Sequence, residues 1–560
     1  MATSTTSTCH GAISIIKFIK SSLENYVMVE GFKDKEKEIL LKFVSNSDKD
    51  VFALKNLPEV VKGALFSRYS RSAKTLRRLL LDEFIGNEDL NIEELATKTE
   101  QDLVITEKAE EFYDRVLVGY GDDSVAELAG AHLALENISM VATKMVEDAR
   151  IGLSPLEKST RYVYFDKKVD DRWLYYREPV LMGEFADVYT KTCDHSFETY
   201  ARLIPEISKY VGEKLEQGEM SDRAYKSTLR AKTCDLLRGL LPASTLTNMG
   251  FFGNGRAFEY LITKMYASNL AELRNLAGES ENELKTVIPS FVKRASGKYG
   301  VMLQDYLKAT HGNIRKISPK AVSDECKRVS LIDYDKNAYD KVIVSTLYPY
   351  SHLSMEELEG YVEKMSDDEK KKIMEVLPGD RKNRRHKPGR GFERVYYTFE
   401  VCANFGAYRD IHRHRILSQQ RQLLNTNLGY DMAWEISDAG FENEFKDAME
   451  TAKNAYDEIA KKYIEEAQYV VPLAYKLRWQ MVMNLREAYY FCELRSTMQG
   501  HRDYRLVAQD VYRKIKEVHP LLVEGMKFVD LNEYEFERLE AEKFTDERIK
   551  EVEEKYGAKK

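Results

Sequence analysis

The feature that most constrains the fold is a repeat hidden in poorly similar sequence. Tyr120-x-x-x-Ser124-x-x-Glu127-Leu128 recurs as Tyr350-x-x-x-Ser354-x-x-Glu357-Leu358, and Asn254-x-Arg256-x-x-x-Tyr260 recurs as Asn484-x-Arg486-x-x-x-Tyr490. Both pairs are 230 residues apart. Two unrelated patterns at one offset indicate a tandem duplication, so each copy is expected to form the same supersecondary units. The Ser-x-x-Glu segments read as helix starts with reciprocal capping. In each copy a strand-like segment and a helix then lead to Asp148-Ala149-Arg150 or to Arg413-His414-Arg415. Later, Leu236 to Pro242 and Gln468 to Pro472 each precede the Asn-x-Arg helix. The predicted class is α+β, a mixed sheet packed with helices, twice over.

The expected organisation is an N-terminal extension over 1–60, a first copy over 61–315, a second over 316–525 and a charged helical tail over 526–560. The stretch 309–320 is read as the junction between copies. Ser70 or Ser72 is expected to cap the helix that begins near Lys74. The second copy carries an insertion over 365–394 whose basic, Gly/Pro-punctuated run at 380–391 reads as a loop. It is either a solvated excursion or a lid reaching toward a phosphorylated ligand. The first copy has a helical stretch over 185–217, and the tail reads as an exposed helix with i,i+4 charge pairs.

Of the 560 residues 43% are hydrophobic and 32% charged, enough for substantial cores under a charged surface. A net charge of -7 gives no general polyanion signal, so any cationic site is local and no nucleic acid partner is expected. The six cysteines (Cys9, Cys193, Cys234, Cys326, Cys402, Cys492) show no short-spaced pairing. They read as reduced thiols in a cytoplasmic setting. The apolar stretch 11–20 is short and broken by lysines, so no signal peptide is expected, and no apolar run approaches a membrane span. His412 and His501 lack partners at metal-binding spacing, and no metal is predicted.

The densest chemistry lies at Arg409-Asp-Ile-His-Arg-His-Arg415, six ionisable side chains in seven residues. With helical spacing, Phe405, Tyr408 and Ile411 face a core while the cations point elsewhere. Cations at a helix C-terminus suit its dipole and its last carbonyls. The same cluster suits an anion, and its landmark position in one of two copies favours that reading.

Arg413-His414-Arg415, preceded by His352-x-Ser354-x-x-Glu357 and followed by Asn484-x-Arg486 and Arg495, resembles the flavin-dependent thymidylate synthase family. The resemblance covers roughly 64–277 and 341–520. The family's hallmark is Arg-His-Arg, seven residues, then Ser, with Glu two before that Ser and Arg two after. Neither copy is complete. After Arg415 the Glu, Ser and Arg positions hold Arg421, Leu423 and Asn425, whereas the first copy lacks Arg-His but has Glu157-x-Ser159-x-Arg161. Arg238 matches a substrate arginine where the second copy has Gln468, and Arg495 matches another where the first has Met265.

The resemblance implies conversion of dUMP to dTMP, with FAD reduced by NADPH and methylenetetrahydrofolate supplying the carbon. Cofactors carry the hard steps, so the protein positions groups and supplies charge. Arginine is the residue expected for gripping phosphate. The implied cofactor residues are His352, Ser354, Arg413, His414, Arg415, Asn484, Arg486 and Tyr490. The implied substrate residues are Glu157, Ser159, Arg161, Arg238 and Arg495, with Arg413, Arg495 and Ser159 at the reacting groups. One composite site from both copies, and a homodimer equivalent to the family tetramer, are expected. Asp122, Leu423 and Asn425 depart from the pattern where substrate choice is set. They leave open a related flavin enzyme acting on another pyrimidine nucleotide, or a non-catalytic flavin- or nucleotide-binding or structural homologue.

Overall fold

The computed structural model describes residues 31–70, 72–85, 125–218 and 220–557. The repeat anchor from Tyr120 to Ser124, Asp122 included, lies outside them. The chain divides into two compact units. In the smaller one, helices Asp34–Phe43, Glu59–Tyr69 and Leu76–Leu79 bury Leu40, Phe43, Leu65 and Leu79. The cap of the last helix is Thr75, whose hydroxyl accepts the Arg78 N–H. Ser70 and Ser72 do not serve there: the Ser70 hydroxyl donates to the Ser67 carbonyl, and that of Ser72 accepts from the Lys74 N–H.

The larger unit repeats one order of elements. Its first half runs through β1 (Gly130–Ser139), α1 (Met140–Glu147), β2 (Leu153–Glu157), a short hairpin of β3 (Lys168–Val169) and β4 (Arg172–Trp173), α2 (Ala186–Lys214), α3 (Asp222–Leu237) and β5 (Leu246–Asn254). Its second half runs through β6 (Val329–Tyr334), β7 (Tyr396–Asn404), α4 (Phe405–Ile411), β8 (Ser418–Arg421), α5 (Glu442–Ile459), β9 (Lys476–Asn484), α6 (Leu485–Arg495) and α7 (Arg502–Val518), and ends in α8 (Leu539–Tyr556). The sheets are ordered β1-β5-β2 and β6-β7-β9-β8. Helix Lys298–Ile317 occupies most of the stretch read as a junction.

The α+β class holds, but every pairing of described register is antiparallel, not mixed. The physical reason is insertion. The return through α4 sets β8 in the direction of β7, and β9 then enters between them and runs opposite to both. Along β7, Tyr397, Phe399 and Val401 are buried while Tyr396 and Glu400 face out, as the pleat requires. Ser139 caps α1 and Asn404 caps α4, each side chain accepting from the third residue on, Ala142 or Ala407. Each helix thus starts where its strand ends and delivers its C-terminal residues to a fixed place.

The two halves are joined backbone to backbone. The Ala243 N–H donates to Val471 O, Leu473 to Leu241 O and Ala474 to Gly239 O, around the bridge Pro242↔Pro472. The two Pro-containing segments that precede the Asn-x-Arg helices are therefore each other's partners. Gly239 suits this crossing, since a Cβ there would stand a tight 3.1 Å from the Cβ of Ala474.

Two expectations need correction. Cys326 and Cys402 are a disulfide with Cα atoms 5.5 Å apart, not reduced thiols. The β6–β7 register, with Val329 opposite Val401, brings the segment before β6 alongside Cys402 across 76 residues of sequence. The tail is also not wholly exposed. Arg223 of α3 holds Asp546 at 2.6 Å and Glu542 at 2.9 Å, and Glu542 is buried. No helix among the described residues is long and apolar enough to cross a membrane.

Candidate functional site

The end of β2 and the turn after it supply Glu157, Ser159, Thr160 and Arg161. The end of α3 supplies Arg238, and α4 with the turn after it supplies Arg409, Asp410 and Arg413. These side chains surround one small cavity of about 20 Å³. Arg161 is buried and forks onto Asp235 of α3, at 2.8 and 2.7 Å, a bidentate charge-assisted pair. Arg238 donates to Asp410 Oδ2 at 3.2 Å, and Arg413 donates to Asp410 Oδ1. Glu157 accepts from Arg409 at 2.5 Å and from Lys144 of α1 at 3.1 Å.

Burial alone would raise the Glu157 and Asp410 carboxyls. Arg409 and Lys144 overcome it at Glu157, and Arg413, Arg238, Arg161 and Arg495 overcome it at Asp410, so both are held below the ordinary carboxylate range. Both are therefore anions at neutral pH. Three guanidinium nitrogens, Arg238 Nη2, Arg409 Nε and Arg413 Nε, are buried without a partner. Unpaired buried donors are costly, so they mark where an acceptor fits. A Cβ at Gly406 would press on Asn404 Oδ1 at 3.2 Å and Arg238 Nη2 at 3.3 Å.

Arg413 also borders a second cavity of about 370 Å³, with Arg150, Lys387, His414, Arg415, Glu487, Tyr490, Leu494 and Arg495. Arg495 Nε stands 2.8 Å from His414 Nε2, and His414 Nδ1 stands 2.8 Å from Glu487. A guanidinium can only donate, so Nε2 accepts and the proton sits on Nδ1, directed at Glu487. Burial, then Arg495 and Arg413, pull the His414 pKa well down, which agrees with a neutral ring. Arg415 reaches back to Ser154 at 2.8 Å, and Arg150 donates to the Arg415 carbonyl at 3.1 Å, tying β2 to the Arg-His-Arg turn. The basic insertion enters here: Lys387 stands 4.2 Å over the Tyr490 ring. Its neighbour Arg381 is buried against Glu493 with two bonds of 2.6 Å.

Glu157, Ser159, Arg161, Arg238 and Arg413 thus converge, and Arg413, His414, Arg415, Tyr490 and Arg495 converge beside them. Four residues expected at the cofactor line neither cavity. His352 is exposed, and Ser354 is spent on a reciprocal cap with Glu357. Asn484 caps α6 by accepting from the Glu487 N–H at 2.8 Å. Arg486 holds Pro388 O at 2.8 Å and Glu393 at 3.0 Å, which fixes the chain beside Lys387. Within this chain the side chains of Ser354, Asn484 and Arg486 are committed to local structure.

Sequence reasoning missed Asp410, Arg409, Asp235, Glu487 and Lys387 as site residues. Arg409 and Asp410 stood inside the densest charge cluster, so composition alone pointed at them. Asp235 and Glu487 carried no comparable signal. Positions corresponding to Arg413 and Glu157 in the other half are Asp148 and Arg421, and these pair at 2.8 Å. His412 Nε2 adds a contact of 2.8 Å to Asp148, and Gln468, at the place of Arg238, accepts the Leu424 N–H at 3.0 Å.

The cation-lined cavities lie where two halves with the same order of strands and helices meet. The model of the family described as thymidylate synthase complementing protein matches residues 69–290 and 330–521, and the chain belongs to that family. It is 48% identical over 523 residues to a UPF0159 protein of Chlamydia pneumoniae, covering 92% of this chain and 98% of the relative. It is 36% identical over 512 residues to UPF0159 protein Ta1429 of Thermoplasma acidophilum, covering 86% and 97%. A flavin-dependent thymidylate synthase of Clostridium tetani is 27% identical over 219 residues, 35% of this chain and 84% of that protein.

Proposed function

We propose that the chain is a flavin-dependent thymidylate synthase that methylates dUMP reductively, with methylenetetrahydrofolate and NADPH as co-substrates and FAD as carrier. The observation that carries this reading is the convergence of Glu157, Ser159, Arg161 and Arg238 from one half with Arg413 from the other. Each half lacks what the other provides. The unpartnered nitrogens of Arg238, Arg409 and Arg413 are donors that a nucleotide phosphate would satisfy.

The larger cavity fits FAD by the chemistry of its walls. Arg150, Lys387, Arg413, Arg415 and Arg495 suit a pyrophosphate, and Tyr490, Ile416 and Leu494 offer flat and apolar surface. When bound, FAD supplies the hydride chemistry. The chain's own part is to bind, orient and set charge. Arg495 and Glu487 lock the neutral His414 with its proton on Nδ1. Arg409 and Lys144 keep Glu157 ionised beside the nucleotide cavity. The enzyme acts as a cytoplasmic dimer of chains in this reading.

Purified protein is expected to show a yellow flavin spectrum, or to gain it on adding FAD, and to release tritium from C5-labelled dUMP. Arg161→Ala and Arg413→Ala, one from each half, are each expected to lower nucleotide affinity about tenfold or more, in keeping with loss of a charge-assisted grip. Flavin binding without tritium release from dUMP would replace this substrate with another pyrimidine nucleotide. No flavin binding at all would end the enzymatic reading.

A further inference from the structure

The centre of the smaller cavity is not empty of negative charge. Asp410, buried at the C-terminal end of α4, takes Arg238 of the first half on one oxygen and Arg413 of the second half on the other. Arg161 and Arg495 stand close enough to act on it electrostatically. A carboxylate of the chain itself thus sits where four arginines from both halves converge. The space left is about 20 Å³, room for about one water. A phosphate group that takes both guanidinium groups has to displace the Asp410 carboxylate from them. The Asp410 carboxylate leaves Arg238 Nη2 and Arg413 Nε unpaired, which a larger, more highly charged anion would satisfy.

We propose that Asp410 is a specificity-determining residue, an internal anion that competes with the ligand's phosphate for Arg238 and Arg413. A phosphorylated ligand binds only as the Asp410 carboxylate turns away from the two guanidinium groups. Phosphate affinity is thereby held down, and selection of the nucleotide shifts toward its base and sugar. The nucleotide part of this inference rests on the function proposed above; the competition for the arginines does not.

The test is isothermal titration of the full-length wild type, Asp410→Asn and Asp410→Ser, with inorganic phosphate, dUMP and deoxyuridine as separate probes. Asn keeps the shape without the charge, and Ser removes both, so neither change of hydrogen bonding alone decides the outcome; thermal melts check that each variant is folded. Phosphate and dUMP are expected to bind about tenfold tighter or more to both variants, with deoxyuridine changed by less than about twofold. A structural role would not separate dUMP from deoxyuridine. Unchanged or weaker phosphate binding in folded variants overturns the inference, and so does equal tightening of dUMP and deoxyuridine. If phosphate tightens while dUMP binds no form of the protein, the competition stands and the nucleotide reading falls.

Discussion

Replacing Glu487 by Gln isolates a single proton. Glu487 lies in the first turn of α6, is 6% exposed, and accepts the His414 Nδ1–H at 2.8 Å. Burial pushes its carboxyl from an ordinary 4.5 up to about 7, against the pull of Lys387, Arg495 and Arg486. Between those values the folded chain holds a proton that the unfolded chain has released. The stabilising contribution is fully present below pH 4.5 and is lost as the pH rises through about 7. At about 1.4 kcal/mol per pH unit, the whole span is worth on the order of 3 kcal/mol. Gln keeps the size and an acceptor for Nδ1–H but cannot ionise. Urea denaturation of both proteins from pH 5 to 8 should show wild-type stability falling by about 2–3 kcal/mol more than that of Glu487→Gln. Parallel curves would refute the reasoning, because Glu487 would then titrate alike in folded and unfolded chains.

Glu493→Ala leaves Arg381 buried without its bidentate partner, and removing one member of such a pair costs about 3–5 kcal/mol; denaturant midpoints read the loss. The same variant loosens the insertion that carries Lys387, so its flavin affinity should fall more than its stability at 20 °C suggests, as fluorescence titration would report. Asp148→Ala and Arg421→Ala should each destabilise, and the double variant by less than their sum, because the two share one ion pair of 2.8 Å; additive losses in a double-mutant cycle would dissolve that link.

Much of the frame was legible in sequence because it rests on local rules. The 230-residue offset anticipated two halves with the same order of elements, and Ser354 caps its helix reciprocally with Glu357 as the Ser-x-x-Glu pattern says. The convergence of Ser159 with Arg413 followed from laying one motif on both halves. Less legible were features made only by tertiary pairing. The Cys326–Cys402 bridge depends on the β6–β7 register, and the antiparallel sheets on β9 entering between β7 and β8. Counter-ions such as Asp235 and Glu487 are invisible to motif reading, since any carboxylate in reach would serve. Asn484 and Arg486 match a motif whose side chains here hold the backbone of α6 and of the insertion.

The asymmetry of the two halves has an electrostatic logic. Arg413 and Glu157 both line the small cavity and attract each other, while their counterparts, Asp148 in the first half and Arg421 in the second, form a pair with the signs exchanged. Exchange preserves attraction across the joint, so packing survives. It does not preserve the site: a phosphate needs converging donors, and Asp148 is an acceptor, while Gln468 replaces Arg238 and is spent on bracing the Leu424 N–H. Helices α1 and α4 meet at Glu147 and His412, 3.3 Å apart, so Lys144, Glu147 and Glu157 link one joint to the other through buried charge. Burial raises the Glu147 carboxyl less than Lys144 and His412 lower it, leaving it at about 2. A neutral substitution at either joint would strand these charges without partners, which costs more than an inverted pair. Sign exchange is therefore a way for one of two equivalent sites to lose its cations without costing the other its scaffold.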